Sequence, residues 1–266
     1  MKFTTIYAQA LCGMLYLASV GWLTQGGRNV LYEVVYMLGW RRRSSALLAG
    51  PVMTVPSVRA VELLAYPPAV HVVEQDAADG NVTGYELLLI AQLAASRAAA
   101  NCFEIGTFDG RTALNLAANV TEDGRVFTLD LPAPEADKTA LRVAPGDAQF
   151  IHKEQSGVRF AGSRWADRIT QLYGDSATFD FAPYESQMDL VFIDGAHSYD
   201  YVKKDTETAL RLLKPEGGVI LWHDYGSPWW KDLTRAMNEL QEGCPGLQKM
   251  RHIQGTNLVM WERSTP

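Results

Sequence analysis

Several protein classes are excluded by what this sequence lacks. Only three cysteines occur in 266 residues, Cys12, Cys102 and Cys244. Widely spaced and odd in number, they make neither a disulfide framework nor a C-x-x-C metal site, and they suit a reducing compartment. No basic block exceeds Arg41–Arg43, and the formal net charge is −6. A nucleic-acid partner needs a concentrated positive surface, so none is expected. No internal repeat and no low-complexity tract interrupts the chain. Charge itself is missing from Phe3 to Gly27. Within that stretch Ile6–Leu23 approaches the roughly 20 apolar residues that span a bilayer. Tyr7 and Trp22 lie near its ends, and Arg28 with Arg41–Arg43 follow it. Positive-inside reasoning would place the remainder of the chain in the cytoplasm, attached to the inner face of the membrane. Gly13, Gly21 and the polar Gln9 and Ser19 suit a helix packed on another subunit, and a cleaved signal peptide is a third reading. Val30–Trp40, a second apolar stretch, suits either a membrane surface or a dimer helix. Residues 3–43 are therefore expected to make a membrane contact or to drive homo-oligomerisation.

The rest of the chain is organised around Asn101–Ala118, N-C-F-E-I-G-T-F-D-G-R-T-A-L-N-L-A-A. Cys102–Ile105 is a short apolar run that reads as a buried strand, and Thr112–Ala118 carries small and apolar residues at helical spacing. Gly106 and Gly110 leave room for a tight turn between them and for close approach of a ligand. A dinucleotide fingerprint, G-x-G-x-x-G, is absent: Phe108 occupies the place of the second glycine. Glu104 and Asp109 add negative charge where phosphates would sit, and carboxylates favour a cation. S-adenosylmethionine has no phosphate and carries an ammonium and a sulfonium. The E-I-G-T-F-D-G stretch resembles motif I of the class I S-adenosylmethionine-dependent methyltransferases.

Later stretches extend the resemblance to about residues 80–262. Arg125–Asp130 is an alternating strand ending in an acid, Gln171–Ser176 resembles the third strand, and Met188–Asp194 with G-A-H-S-Y resembles the fourth strand and its loop. Leu212–Asp224 matches a helix end, a glycine turn and a fifth strand. The resemblance implies a Rossmann-like α/β fold, with a seven-stranded, mostly parallel sheet, helices on both faces and a C-terminal antiparallel hairpin. It implies S-adenosylmethionine contacts at Glu104, Gly106, Thr107, Asp109, Gly110, Thr112 and Asp194. Asp130 would grip the ribose hydroxyls, and Asp175 and Ser176 would lie beside the adenine. Asn81 and Thr83, with Glu86, are candidates for the methionine end; the alternative for them is a glycine turn and helix cap.

Methyl transfer to a hydroxyl needs an aligned acceptor and a base, placed where open α/β sheets bind ligands, at the carboxyl ends of strands. Asp194, His197, His223 and Asp224 all fall there. His197 stands where the metal-dependent catechol and caffeoyl-coenzyme A O-methyltransferases carry a lysine base, and an imidazole with pKa of about 6.5 suits base work. Those relatives end the fifth strand in Asp-Asn; this chain has His223-Asp224. Asp194, His223 and Asp224 can form a site for Mg²⁺, Mn²⁺ or Fe²⁺, with imidazole poorly suited to Mg²⁺. The alternative is a metal-free site in which His197 or His223 is the base. The expected organisation is an apolar extension over residues 1–50, a proline-rich linker over 51–78 and a catalytic domain over 79–266. The expected activity is O-methylation of a small molecule or glycan, in the manner of the bacterial branch acting on sugars and natural products. An N-methyltransferase, a tethered cofactor-binding protein without turnover and a nicotinamide dehydrogenase are the alternatives. The long crossover from Asp130 to Arg168 reads as a lid or substrate loop, and Tyr225–Trp230 as an aromatic pocket wall or a helix cap.

Overall fold

The computed structural model describes residues 50–263, with Leu15 and Ser19 as isolated positions before them. The expectations for residues 3–43 otherwise fall outside the described residues. Among those described, no helix is long and apolar enough to cross a membrane. Among the described residues, fourteen strands and α-helices run in the order β1 Ser57–Val58, α1 Ala60–Leu63, α2 Gly84–Ser96, β2 Asn101–Ile105, α3 Arg111–Ala117, β3 Arg125–Asp130, α4 Ala148–Ile151, β4 Ile169–Tyr173, β5 Leu190–Ile193, α5 Tyr199–Leu212, β6 Gly218–Trp222, α6 Lys231–Gly243, β7 Arg251–Ile253 and β8 Val259–Arg263. They assemble into one sheet of order β1-β7-β8-β6-β5-β2-β3-β4. Only β8 runs antiparallel to its neighbours, β6 and β7.

The central strands read as continuous apolar runs because helices cover both of their faces. Period-two alternation divides them. Phe103, Ile105, Val191 and Ile193 enter the core shared with α5 and α6. Cys102, Val126, Leu190 and Phe192 enter the core shared with α2 and α3. Each fully buried large side chain contributes about 1.5–3 kcal/mol. Helix α2 begins at a capping box, Thr83 and Glu86 each bonding the other's backbone amide, which satisfies two donors that the first turn leaves open.

Two details differ from the seven-strand expectation. β1 adds an eighth strand, pairing parallel with β7 at the sheet edge. Val70–Glu74 is not a strand, although its valines suggest one. The carboxamides of Asn115 and Asn119 take its backbone groups instead: His71 and Val73 each donate N–H to one of them and accept from its Nδ2. Side chains thus do the work of a neighbouring strand.

Sheet order places the site. The chain winds outward from β2 through β3 to β4, then returns to build β5 and β6 on the other side of β2. Strands β2 and β5 therefore flank the switch point, where an open parallel sheet leaves a crevice at its carboxyl ends. Gly106 follows β2 and Asp194 follows β5.

Candidate active site

The cofactor-side turn is built by backbone conformation. Gly106 has φ +99°, and a Cβ there would stand 2.1 Å from the Asp194 carbonyl oxygen. Gly110 (φ +86°) caps α3, and even Phe108 adopts φ +50°. These left-handed residues fold the loop back so that Glu104, Gly106, Thr107, Asp109, Thr112 and Asp194 line a small cleft together with Asn81. Glu104 is buried and accepts from Thr128 Oγ1 at 2.5 Å. Burial drives its pKa well above the ordinary carboxylate range; the Thr128 bond opposes this, while Asp194, Asp130 and Asp109 add to it. Asn81 Nδ2 donates to Asp109 Oδ1 at 3.0 Å. Thr83 is committed to the α2 cap, its hydroxyl bonded to Glu86.

The crossover between β3 and β4 packs directly on this turn. Gly157 and Arg159 donate their backbone N–H groups to the carbonyls of Phe108 and Asp109. Arg159 Nε then meets Asp109 Oδ2 at 2.6 Å. Asp130, at the end of β3, accepts from Ser156 Oγ and pairs with Lys153 Nζ at 2.8 Å. Burial raises the Asp130 pKa and these partners offset part of the rise. Asp175 accepts from the Ala140 amide and the Tyr201 hydroxyl, both at 2.7 Å. Three acids singled out for a cofactor are therefore held by the chain itself, two of them by basic residues of the crossover.

The second half lies across β5 and β6. Asp194, His223 and Asp224 bring one ligand atom each within 4.8 Å of the others. Asp224 turns its carboxylate inward through a left-handed backbone, φ +63°, a conformation that a non-glycine residue holds at a cost of about 1–3 kcal/mol. His223 Nδ1 is 3.1 Å from Asp194 Oδ1 and 3.6 Å from Asp224 Oδ2, and its Nε2 is 3.3 Å from Glu86 Oε2. Burial alone would raise the Glu86 pKa, but His223 and the amides of Asn257 and Thr83 bring it down to about 2. Glu86 thus faces His223, not the cleft.

His197 closes the group. Its Nδ1 is 2.5 Å from Asp147 Oδ1, and its ring stacks on Trp230 with centroids 4.1 Å apart and planes 10° apart. Nε2 stands 2.9 Å from Asp224 Oδ2 and 3.9 Å from Asp194 Oδ1 and is not aligned for a hydrogen bond with either. Burial works against a charged ring, yet Asp147 and Asp224 outweigh it and raise the pKa to about 10. His223 is likewise shifted well above its ordinary value, burial opposing and Asp194 and Asp224 prevailing. Burial also opposes ionisation of Asp224, but His223 and His197 overcome it and hold its carboxyl far below the usual range.

The donor set fits a divalent cation. Four carboxylates, those of Asp194, Asp224, Glu86 and Asp147, surround two imidazoles, leaving net negative charge even with both rings protonated. His223 turns Nδ1 to the acids and Nε2 to an outer carboxylate, as metal-bound histidines are held. Sequence reasoning singled out both histidines and both strand-end acids, but missed Asp147 and Trp230 as partners of His197. Asp147 lies 50 positions before His197, in a single 3-10 turn just ahead of α4 that is too short to carry a periodic signal.

Residues 103–225 match the model of a family described as a methyltransferase domain. Over 177 residues the chain is 27% identical to "Probable caffeoyl-CoA O-methyltransferase 3" of Dictyostelium discoideum, covering 65% of this chain and 62% of that protein's length. In fold it is similar to the S-adenosylhomocysteine-bound methyltransferase PaMTH1 of Podospora anserina, with TM-score 0.50, 18% identity and coverage of 71% of this chain and 81% of that one. It is also similar to the O-methyltransferase NovP, with TM-score 0.52, 14% identity and coverage of 68% and 81%. The five motifs in order, the sheet topology and the family match over residues 103–225 agree, and this stretch of the chain is similar to the methyltransferase domain family.

Proposed function

We propose that this protein transfers the methyl group of S-adenosylmethionine to a hydroxyl of a small molecule or glycan. The observation that carries this reading is the position of Asp194. It lines the cofactor cleft and also belongs to the cluster of His197, His223 and Asp224, so a methyl group held in the cleft faces a base and a charged pocket. The methyl-transfer unit would be residues 79–266, with 51–78 a strap along the sheet edge and 1–50 an extension for membrane contact or self-association. Glu104, Asp109, Thr107, Thr112 and Asn81 would hold the methionine part of the cofactor. Asp130, Asp175 and Ser176 would serve its ribose and adenine, after Ser156, Lys153 and the Ala140 amide give up those acids.

His197 acts as the base. It takes at Nε2 the proton that the acceptor oxygen loses as that oxygen bonds to the methyl carbon and the carbon–sulfur bond breaks toward sulfur. Asp194, His223 and Asp224 would hold a divalent cation, which supplies positive charge against the acceptor oxygen; their mixed oxygen and nitrogen donors suit Mn²⁺ or Fe²⁺ better than Mg²⁺. In the ligand-free protein His197 keeps its proton at neutral pH. Asp147 and Asp224 together hold that proton, so a positive charge placed beside Asp224 would favour the base form.

The test is transfer of tritiated methyl from S-adenosylmethionine to a panel of hydroxyl acceptors, including caffeoyl-coenzyme A and free sugars, after chelation and after return of Mn²⁺. Transfer restored by Mn²⁺, with an Mn²⁺ isotherm that Asp224→Ala abolishes, is the expected result. Transfer only to amine acceptors, unaffected by chelation, would replace this reading by N-methylation.

A further inference from the structure

Asp147 sits in the crossover between β3 and β4, far in sequence from the strand ends, yet it is 3% exposed and touches His197 twice. Its Oδ2 accepts the backbone N–H groups of His197 and Ala144, each at 3.1 Å. Its Oδ1 meets the ring nitrogen Nδ1 at 2.5 Å. The local turn needs only one of these oxygens, and the second is spent on the imidazole. Trp230 covers one face of the ring. Gly146 lets the crossover lie against that tryptophan, for a Cβ at Gly146 would come within 2.5 Å of the indole. The edge of the imidazole is thus held by the segment that carries Asp147, and its face by Trp230, against which that segment lies.

An imidazole has two nitrogens, and the partner of one determines which proton state the other presents. A carboxylate on Nδ1 keeps a proton there and leaves Nε2 as the nitrogen that faces Asp194, Asp224 and an acceptor. We propose that Asp147 is the positioning residue of His197, holding its Nδ1–H and aiming Nε2 at the acceptor. This rests on the reading of His197 as the base. It also gives the crossover a role beyond covering the cofactor. One segment pairs with Asp130 and Asp109 through Lys153 and Arg159 and sets the ring through Asp147, so displacement of that segment releases both.

The experiment uses the full chain with ¹⁵N-labelled histidine, chelated and free of cofactor. Long-range proton–nitrogen correlations are recorded, His197 being assigned by its loss in His197→Gln. The expected spectrum has a hydrogen-bonded, exchange-protected proton on His197 Nδ1, lost in Asp147→Asn and recovered in Asp147→Glu. With the hydroxyl acceptor found in the panel above, Asp147→Asn is expected to lower kcat by about 10²-fold, within the range of general acid–base contributions, and to leave KM for S-adenosylmethionine unchanged. Calorimetric binding of S-adenosylhomocysteine verifies that the variant is folded. An unchanged Nδ1 signal and wild-type kcat in Asp147→Asn, beside an inactive His197→Ala, would overturn the positioning role and leave the base standing. Full activity in His197→Ala would overturn the base assignment, and this inference with it.

Discussion

The two halves of the site are made in different ways. The cofactor half is a matter of backbone shape within a few consecutive residues: Gly106, Phe108 and Gly110 all take φ between +50° and +99°, and the cleft follows from that turn. The other half, proposed for catalysis, is a matter of side-chain charge collected from Glu86, Asp147, Asp194, His197, His223 and Asp224, which come from four separate segments. A turn can be specified locally because its information lies in which residues tolerate a left-handed backbone. A charge cluster depends on which strands and loops end beside one another, and its pKa values depend on every neighbour.

Gly106→Ala should separate the halves most sharply, because it alters shape and no charge. The new methyl would collide with the Asp194 carbonyl and force alanine into φ +99°. S-adenosylhomocysteine binding should be lost in calorimetry and stability should fall by several kcal/mol, on the order expected for strain plus overpacking. A variant that bound normally would show that the turn is not the determinant of the cleft.

Glu86→Gln changes charge and almost no shape. The folded pKa of Glu86 lies at about 2, below its ordinary 4.5. Its ionised form therefore stabilises the fold fully above about pH 4.5, and that stability is lost as pH falls toward 2. Denaturant titrations should show the variant less stable by about 1–3 kcal/mol at pH 7, with the difference shrinking in acid. Equal loss at pH 7 and pH 2 would mean that the carboxylate charge is not what holds His223.

The smallest effect expected is a gain. Asp205 of α5 is fully buried behind the Asp194–His197 loop, its Oδ2 3.7 Å from where a Gly195 Cβ would stand, and neither carboxyl oxygen has an aligned hydrogen bond. Burial raises its pKa to about 7, with Ser176 offsetting part of the rise. An acid whose folded pKa is raised binds more protons folded than unfolded, so it costs stability progressively as pH climbs from about 4 to 7. Asp205→Asn should then raise the melting temperature at pH 8 by about 2–4 °C for a change near 1 kcal/mol, with no gain at pH 4. A melting temperature lowered at pH 8 would show that the ionised carboxylate is wanted there.

The sheet was legible in the sequence because buried parallel strands are uninterrupted apolar runs and helices repeat their apolar face. β3, R-V-F-T-L-D, reads directly from Arg125 to Asp130. Val70–Glu74 has the β-branched residues of a strand without forming one, because Asn115 and Asn119 supply the partner groups. Ser57–Val58 is too short to signal at all; its pairing with His252 and Ile253 exists only once the C-terminal hairpin is in place.

By itself the sequence determined the strand–turn–helix unit, the absence of a phosphate fingerprint, and the four polar residues at the ends of β5 and β6. All of these are properties of neighbours along the chain, expressed through propensity, sterics and local charge. Only the tertiary structure decided that Glu86 serves His223, that Asp147 and Trp230 hold His197, and that Lys153 and Arg159 occupy the acids of the cofactor half. Those pairings arise from folding a long crossover and a helix start onto the carboxyl edge of the sheet. No periodicity encodes which residue of an irregular segment lands there, and burial then turns each landing into a shifted pKa.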